Sequence, residues 1–257
     1  MPATSATDSS STAPVVRSVS LLQPFSWLLR GGRDLMRNPG ASLFYGMAMA
    51  AAGTIILLAV ASLPHLFTAA ISGFLLVAPM LATGLYDLSR RIENGEPVRL
   101  VDSMQAWRAN PSGLVGFGLF GLLAGTAWQV MSLLIVAMLY KGNAMAPLQL
   151  VIEVLRDPRH MQLFMAYIGI GGILAAMVFA LSVVSVPMLL DRKCELLPAM
   201  QASIGAVSEN PLPLAIWATI IMLLVALGFA TFLLGFIVIM PLLGHASWHA
   251  YRDLIER

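Results

Sequence analysis

LPLAIWATIIMLLVALGFATFLLGFIVIMPLLGHASW, the stretch Leu212–Trp248, contains no Asp, Glu, Lys or Arg. A helix needs roughly 20 predominantly apolar residues to cross about 30 Å of hydrocarbon. The run is therefore too long for one upright span and tight for two. Gly228 and the Phe-Ala-Thr that follows it sit near its midpoint. They predict a short turn, with one span over Leu212–Leu227 and another over Thr231–Ala250. The alternative is a single long, tilted helix.

Working outward, four further segments meet the length requirement: Leu43–Leu63, Leu66–Leu88, Gly113–Tyr140 and Phe164–Leu190. None has a charged side chain in its interior, and Asp87 sits at the end of the second. The composition agrees, because 58% of the 257 residues are hydrophobic and 11% charged. Soluble domains run at about 45–50% and about 25%, so the surplus apolar surface must meet hydrocarbon rather than water.

A pattern repeats along the chain and favours the two-span reading. Three times a proline opens a short amphipathic segment, an Asn-Pro pair closes it, and a span follows. The copies run from Pro24 to Asn38-Pro39, from Pro97 to Asn110-Pro111 and from Pro198 to Asn210-Pro211. Proline suits the first turn of a helix, and the residue before it is pushed out of the α region. Each unit therefore predicts a discrete short helix that bends into the membrane. Pro79, Pro187 and Pro241 fall inside the three return spans, where each should free a carbonyl and kink its helix. The expected fold is an all-α, integral membrane helical bundle of six transmembrane helices, built from three helix-hairpin repeats with short amphipathic interfacial helices. The repeats cover about residues 24–92, 97–193 and 198–256, in a single domain 19–257 that follows a disordered tail, 1–18. That tail lacks the basic start and apolar core of a secretory signal.

In this arrangement Arg17, Arg30, Arg33, Arg37, Arg90, Arg91, Arg99, Arg108, Arg192, Lys193, Arg252 and Arg257 share one side. Only Lys141, Arg156 and Arg159 fall on the other. Lys and Arg near span ends stay cytoplasmic, so both termini and the short helices are expected in the cytoplasm. The short helices carry apolar stripes: Phe25, Leu28, Leu29, Leu35 and Met36; Leu100, Met104 and Trp107; Leu197, Met200, Ile204 and Val207. Such a helix lies in the interface or under the bundle, and Trp27, Trp107 and Trp248 suit headgroup depth. Leu148, Val151, Ile152 and Leu155 predict one more amphipathic helix in the outer loop.

Candidate chemistry is sparse. The net charge is +2 with no basic run, which leaves nucleic acid without an electrostatic footprint. Cys194 is the single cysteine, so there is no internal disulfide or multi-cysteine metal site. Intramembrane charges usually mark ion paths, and the span interiors have none. Gln129, Ser132, Ser182 and Ser185 are the polar residues placed to line a cavity. His245 and His249, four apart on one helix face, have the spacing of metal ligands but no third ligand nearby. Asp87, Glu93, Glu96 and Asp102 lie among arginines and read as a solvated loop. No hydrolase, zincin or phosphate-loop motif is present, and neither enzyme activity nor a cofactor is expected. Gly118, Gly121 and Gly125, and Gly171 with Gly172, share helix faces that would allow close backbone packing, as do Gly46, Ala50 and Gly53.

The run APMLATGLYDLSRRIENGEPV, the Trp and Asn-Pro beyond it, VPMLLDRKCE and MPLLGHASWHAYRDLI carry a resemblance. They are similar to an uncharacterised family of bacterial integral membrane proteins, a domain of unknown function described as inner-membrane. The similarity runs from about Val19 to Tyr251. It implies the bacterial inner membrane as location and transfers no site residue. The reading that follows is a non-enzymatic scaffold or assembly partner of other membrane proteins, with the bilayer, those proteins and a second copy of the chain as partners. The alternative is a permease or channel for a small neutral or weakly charged solute.

Overall fold

The computed structural model describes residues 15–62, 67–140, 154, 157–192 and 194–256, with the side chains of 59–80 outside the description. The elements are α1 (Gln23–Arg37), α2 (Pro39–Ser62), α3 (Phe67–Asn94), α4 (Leu100–Ser103), a 3-10 turn (Ala106–Ala109) and α5 (Pro111–Leu139). A second 3-10 turn (Pro158–His160) leads into α6 (Met161–Ser182), α7 (Ser185–Arg192), α8 (Leu196–Glu209), α9 (Pro211–Ala230) and α10 (Phe236–Leu254). Among the described residues four stretches are long and apolar enough to cross a membrane: Pro39–Leu58, Pro111–Leu139, Pro158–Arg192 and Pro211–Ala230. The expected outer-loop helix, Leu148–Leu155, falls outside the described residues.

The decisive stretch forms two helices, with the turn a few residues later than expected, at Thr231–Gly235. Thr231 holds it: its hydroxyl donates to the carbonyls of Leu227 and Gly228 and accepts from the Gly235 N–H. Phe232 and Leu233 adopt left-handed backbone, at φ 53° and 67°. Such non-glycine conformations persist only where surroundings impose them. Phe236 folds back over Gly228, where an added Cβ would sit 2.2 Å from the ring.

At each Asn-Pro junction the asparagine leaves helical geometry and the proline starts the next helix. Asn38, Asn110 and Asn210 have φ/ψ of −139/67°, −150/72° and −128/52°. Asn110 caps α5 by accepting from the Gly113 N–H. Their side-chain amides reach further. Asn38 donates to Val98 O (3.3 Å), Asn110 to Leu189 O and Cys194 O (3.1 and 2.8 Å), and Asn210 to Arg17 O (2.9 Å). Asn210 also accepts from the Val19 N–H at 2.7 Å.

Several expectations need correction. The segment Pro97–Asn110 is not one helix but the single turn α4 and a 3-10 turn. The stretch Phe164–Leu190 is interrupted at Val183–Val184, so Pro187 lies in the first turn of α7 rather than at a kink in a continuous helix. The Ser203 hydroxyl receives the freed Val184 N–H. Pro241 does lie inside a continuous helix, α10, as expected. Lacking an N–H, it leaves the Ile237 carbonyl without its helical donor. That carbonyl faces Gly46, where a Cβ would come within 2.0 Å of it. Pro79 is within α3, among the side chains outside the description. Val16 pairs with Ile255 in an antiparallel bridge.

The core is assembled around α10, which packs against α1, α2, α3, α9 and α7. Trp27 and Trp217 meet edge to face at 5.7 Å, and both are fully buried, as are Trp248, Leu189, Leu214 and Leu254. The apolar stripe of α1 points outward, with Phe25, Leu29 and Met36 exposed, while Trp27, Gly31 and Asp34 face the protein. Leu197 and Ile204 are likewise exposed on α8.

Candidate functional site

The conspicuous chemistry lies where α1, α2, α3 and α10 meet. Asp34, Ser42, Ser89 and His245 are all buried, and His249 is nearly so. Ser89 Oγ donates to Asp34 Oδ2 at 2.9 Å and lies 2.7 Å from His245 Nδ1. His245 Nε2 is 2.9 Å from Ser42 Oγ, and His249 Nε2 is 2.8 Å from Asp34 Oδ2.

The directed bond from Ser89 assigns the rest. With its proton given to Asp34, Ser89 Oγ must accept from His245 Nδ1–H, so Nε2 accepts from the Ser42 hydroxyl. His249 donates to the carboxylate from the far side. The result is a chain, Ser42 to His245 to Ser89 to Asp34, in which every donor points toward one carboxylate. Burial would raise the Asp34 carboxyl, but the hydrogen bonds from His249 and Ser89 outweigh it and hold the group below the ordinary range.

A charged cluster continues from this network toward the helix ends. Asp253 accepts from Gln23 Nε2 (2.7 Å), Trp27 Nε1 (2.8 Å) and the Arg30 guanidinium. Burial raises its carboxyl, and Arg30, Gln23 and Trp27 together bring it below the ordinary range. Glu93 accepts from Arg252 and from Trp248 Nε1, both at 3.1 Å. Asp87 is buried and pairs with Arg90 and Arg91. A cavity of about 390 Å³ lies between Arg17, Arg30, Glu93, His249, Arg252 and Asp253.

These residues correct the sequence reading. Asp87 is not part of a solvated loop but 1% exposed, and Asp34, which the sequence did not single out, is 4% exposed. The signal for Asp34 was its place three residues after Gly31, on the face opposite the apolar stripe, which is the face that α1 turns inward. His245 and His249 do not converge as a ligand pair, because both His245 nitrogens face serine hydroxyls and His249 Nε2 faces Asp34. Among the described residues no cluster of three His, Cys, Asp or Glu could hold a metal ion.

The polar residues proposed to share a cavity are not brought together. Ser132 on α5 pairs with the Tyr167 hydroxyl. Ser182 donates to the Phe179 carbonyl, about 22 Å along α6 from Tyr167 at 1.5 Å per residue, and Ser185, on α7, donates to the Leu181 carbonyl. Gln129 is half-buried on α5. Of the packing glycines, Gly118 is buried and Gly121 and Gly125 half-buried on α5, which lies against α3. Gly171 faces Trp128, 2.8 Å from where a Cβ would be, whereas a Cβ on Gly172 would meet nothing within 4 Å. Among the described residues Gly172 thus meets no neighbouring helix.

Long apolar helices with exposed aliphatic flanks, and charge confined to their ends, define a multi-pass α-helical integral membrane protein. Residues 66–191 match the family described as "Predicted integral membrane protein (DUF2189)", and that stretch belongs to this family, whose function is unknown. No curated protein and no solved structure matches the chain.

Proposed function

We propose that this protein is a non-enzymatic scaffold or assembly partner for other proteins of the bacterial inner membrane. In this reading it spans the bilayer six times in three repeated hairpins, with both termini in the cytoplasm. The observation that carries the scaffold reading is the packed core at the Arg-rich end, where Trp27, Trp217, Trp248, Leu189 and Leu214 are buried in one cluster. A solute path needs polar groups facing a shared lumen, and the hydroxyls of Ser132, Ser182 and Ser185 are bound to neighbours instead. That weighs against the permease alternative.

The three-repeat arrangement draws support from the asparagine amides. Asn38 reaches the approach to α4, Asn110 the approach to α8, and Asn210 the approach to α1. Each short-helix unit is thereby tied to the next and the third back to the first, which is the connectivity of a closed threefold ring. Pairing of Val16 with Ile255 puts the first and last described segments on one side, in keeping with the Arg-rich face.

The test is native mass spectrometry of the tagged protein, gently extracted at native expression. A stoichiometric membrane-protein partner is expected. Recovery of the chain alone, together with solute flux in proteoliposomes, would favour the permease.

A further inference from the structure

We propose that the cleft between α2, α3 and α10 binds one phospholipid of the surrounding bilayer. The cleft, of about 190 Å³, is lined by Tyr45 and Met49 from α2, Leu85 and Tyr86 from α3, and Met240 and Ser247 from α10. Met49, Tyr86, Met240 and Ser247 are half-buried, so the mouth lies on the outside of the bundle. Phe44 and Met47 of α2 are exposed nearby, an apolar flank that faces hydrocarbon.

Two polar groups distinguish this cleft from an ordinary lipid-facing seam. Tyr45 gives its hydroxyl to a contact with Ser103 Oγ. The hydroxyls of Tyr86 and Ser247, by contrast, have no hydrogen-bond partner among the described residues. In an apolar wall an unpartnered hydroxyl is costly, and the ester oxygens of a glycerolipid are acceptors of the kind these hydroxyls lack. One turn beyond Tyr86 on the same face of α3, about 6 Å toward the charged end, stands Arg90. Its guanidinium meets Asp87 through Nη2, and the side chain is 30% exposed. Its counter-ion Asp87 is shared with Arg91, which also has Asp102 at 3.7 Å and Glu96 at 3.9 Å. Arg90 does not line the cleft itself but leaves Nη1 unpartnered among the described residues beyond its charged end, where a lipid phosphate would lie, and guanidinium is well suited to phosphate. From the cleft toward the charged end of α3 the order is apolar wall, hydroxyls, guanidinium. This is the order of acyl chain, ester and phosphate in a phospholipid.

The experiment strips the detergent-purified full chain of lipid and reloads it with phosphatidylglycerol or with diacylglycerol bearing the same acyl chains. Native mass spectrometry then counts retained molecules. One phosphatidylglycerol per chain is expected, with diacylglycerol retained about five-fold less or weaker still. The double variant Tyr86→Phe, Ser247→Ala should lower phosphatidylglycerol retention by a similar factor, and Arg90→Gln should bring it to the diacylglycerol level. Equal retention of the two lipids, or wild-type retention by the double variant, would overturn the proposal. Should Arg90→Gln not fold, the headgroup comparison and the double variant decide alone.

Discussion

His249 Nε2 stands 2.8 Å from Asp34 Oδ2, joining the last helix to the first across almost the whole chain. Asp34 is the only carboxylate in the hydrogen-bonded chain that also includes Ser42, His245 and Ser89, so it should set the acid limb of stability below the range where histidine titrates. Its folded-state pKa lies below the ordinary value of about 3.9. A depressed carboxylate contributes stability that is complete above the unfolded value and is lost as pH falls through the folded one. Thermal unfolding in detergent should therefore show a plateau above about pH 6.5, a shallow decline below it as unfolding lets the buried neutral histidine take up a proton, and a steeper fall below about pH 4. Asp34→Asn should lower the plateau and flatten that fall. An unchanged acid limb would mean that other carboxylates, Asp253 among them, govern it.

Ser89 bridges His245 and Asp34, so its removal leaves two buried groups each short of a partner. Ser89→Ala should cost about 1–3 kcal/mol. In a double-mutant cycle with Asp34→Asn the two effects should fall short of additivity by at least about 0.5 kcal/mol. Additive losses would show that the chain does not act as a unit.

Close approach of backbone separates one glycine from another. A Cβ at Gly46 would come within 2.0 Å of the Ile237 carbonyl, which belongs to backbone and cannot swing aside. Gly46→Ala should therefore force α2 and α10 apart and lose most of the monodisperse yield. Gly172→Ala meets nothing within 4 Å and should be neutral or stabilising by up to about 1 kcal/mol through helix propensity. Size-exclusion profiles of the two variants check both.

The asparagines should rank by their contacts. Asn110 caps α5 and donates to two carbonyls, whereas Asn38 makes its two bonds at 3.3 Å each. Asn110→Ala should cost about 2 kcal/mol or more, with Asn38→Ala clearly milder. Equal midpoints for the two in thermal unfolding would contradict the ranking.

Cys194 reports orientation. It is half-buried, with its thiol directed at Met188 O, and burial pushes the thiol up from its ordinary range. A membrane-impermeant maleimide should leave it unlabelled in intact cells. Inverted vesicles should label slowly, and faster as pH rises, because the thiolate is the reactive form. Ready labelling in intact cells would reverse the proposed topology.

Hydropathy and proline chemistry are local, and for that reason the sequence alone determined a great deal here. The helical, membrane-embedded class follows from uncharged runs of sufficient length. The division of Leu212–Trp248 into two helices follows from its length and its glycines, and the three helix starts at Pro39, Pro111 and Pro211 follow from the geometry imposed on the preceding asparagine. Which face a charged residue shows to its neighbours is not local. Asp34 sits among arginines in the sequence, and only the packing of α1 against α10 buries it beneath His249. Ser42 and Ser89 look like unremarkable helix residues until α2 and α3 bring them to either side of His245. Two free-looking histidines at ligand spacing became parts of a hydrogen-bond chain, because burial requires every polar atom to find a partner and the partners came from three other helices.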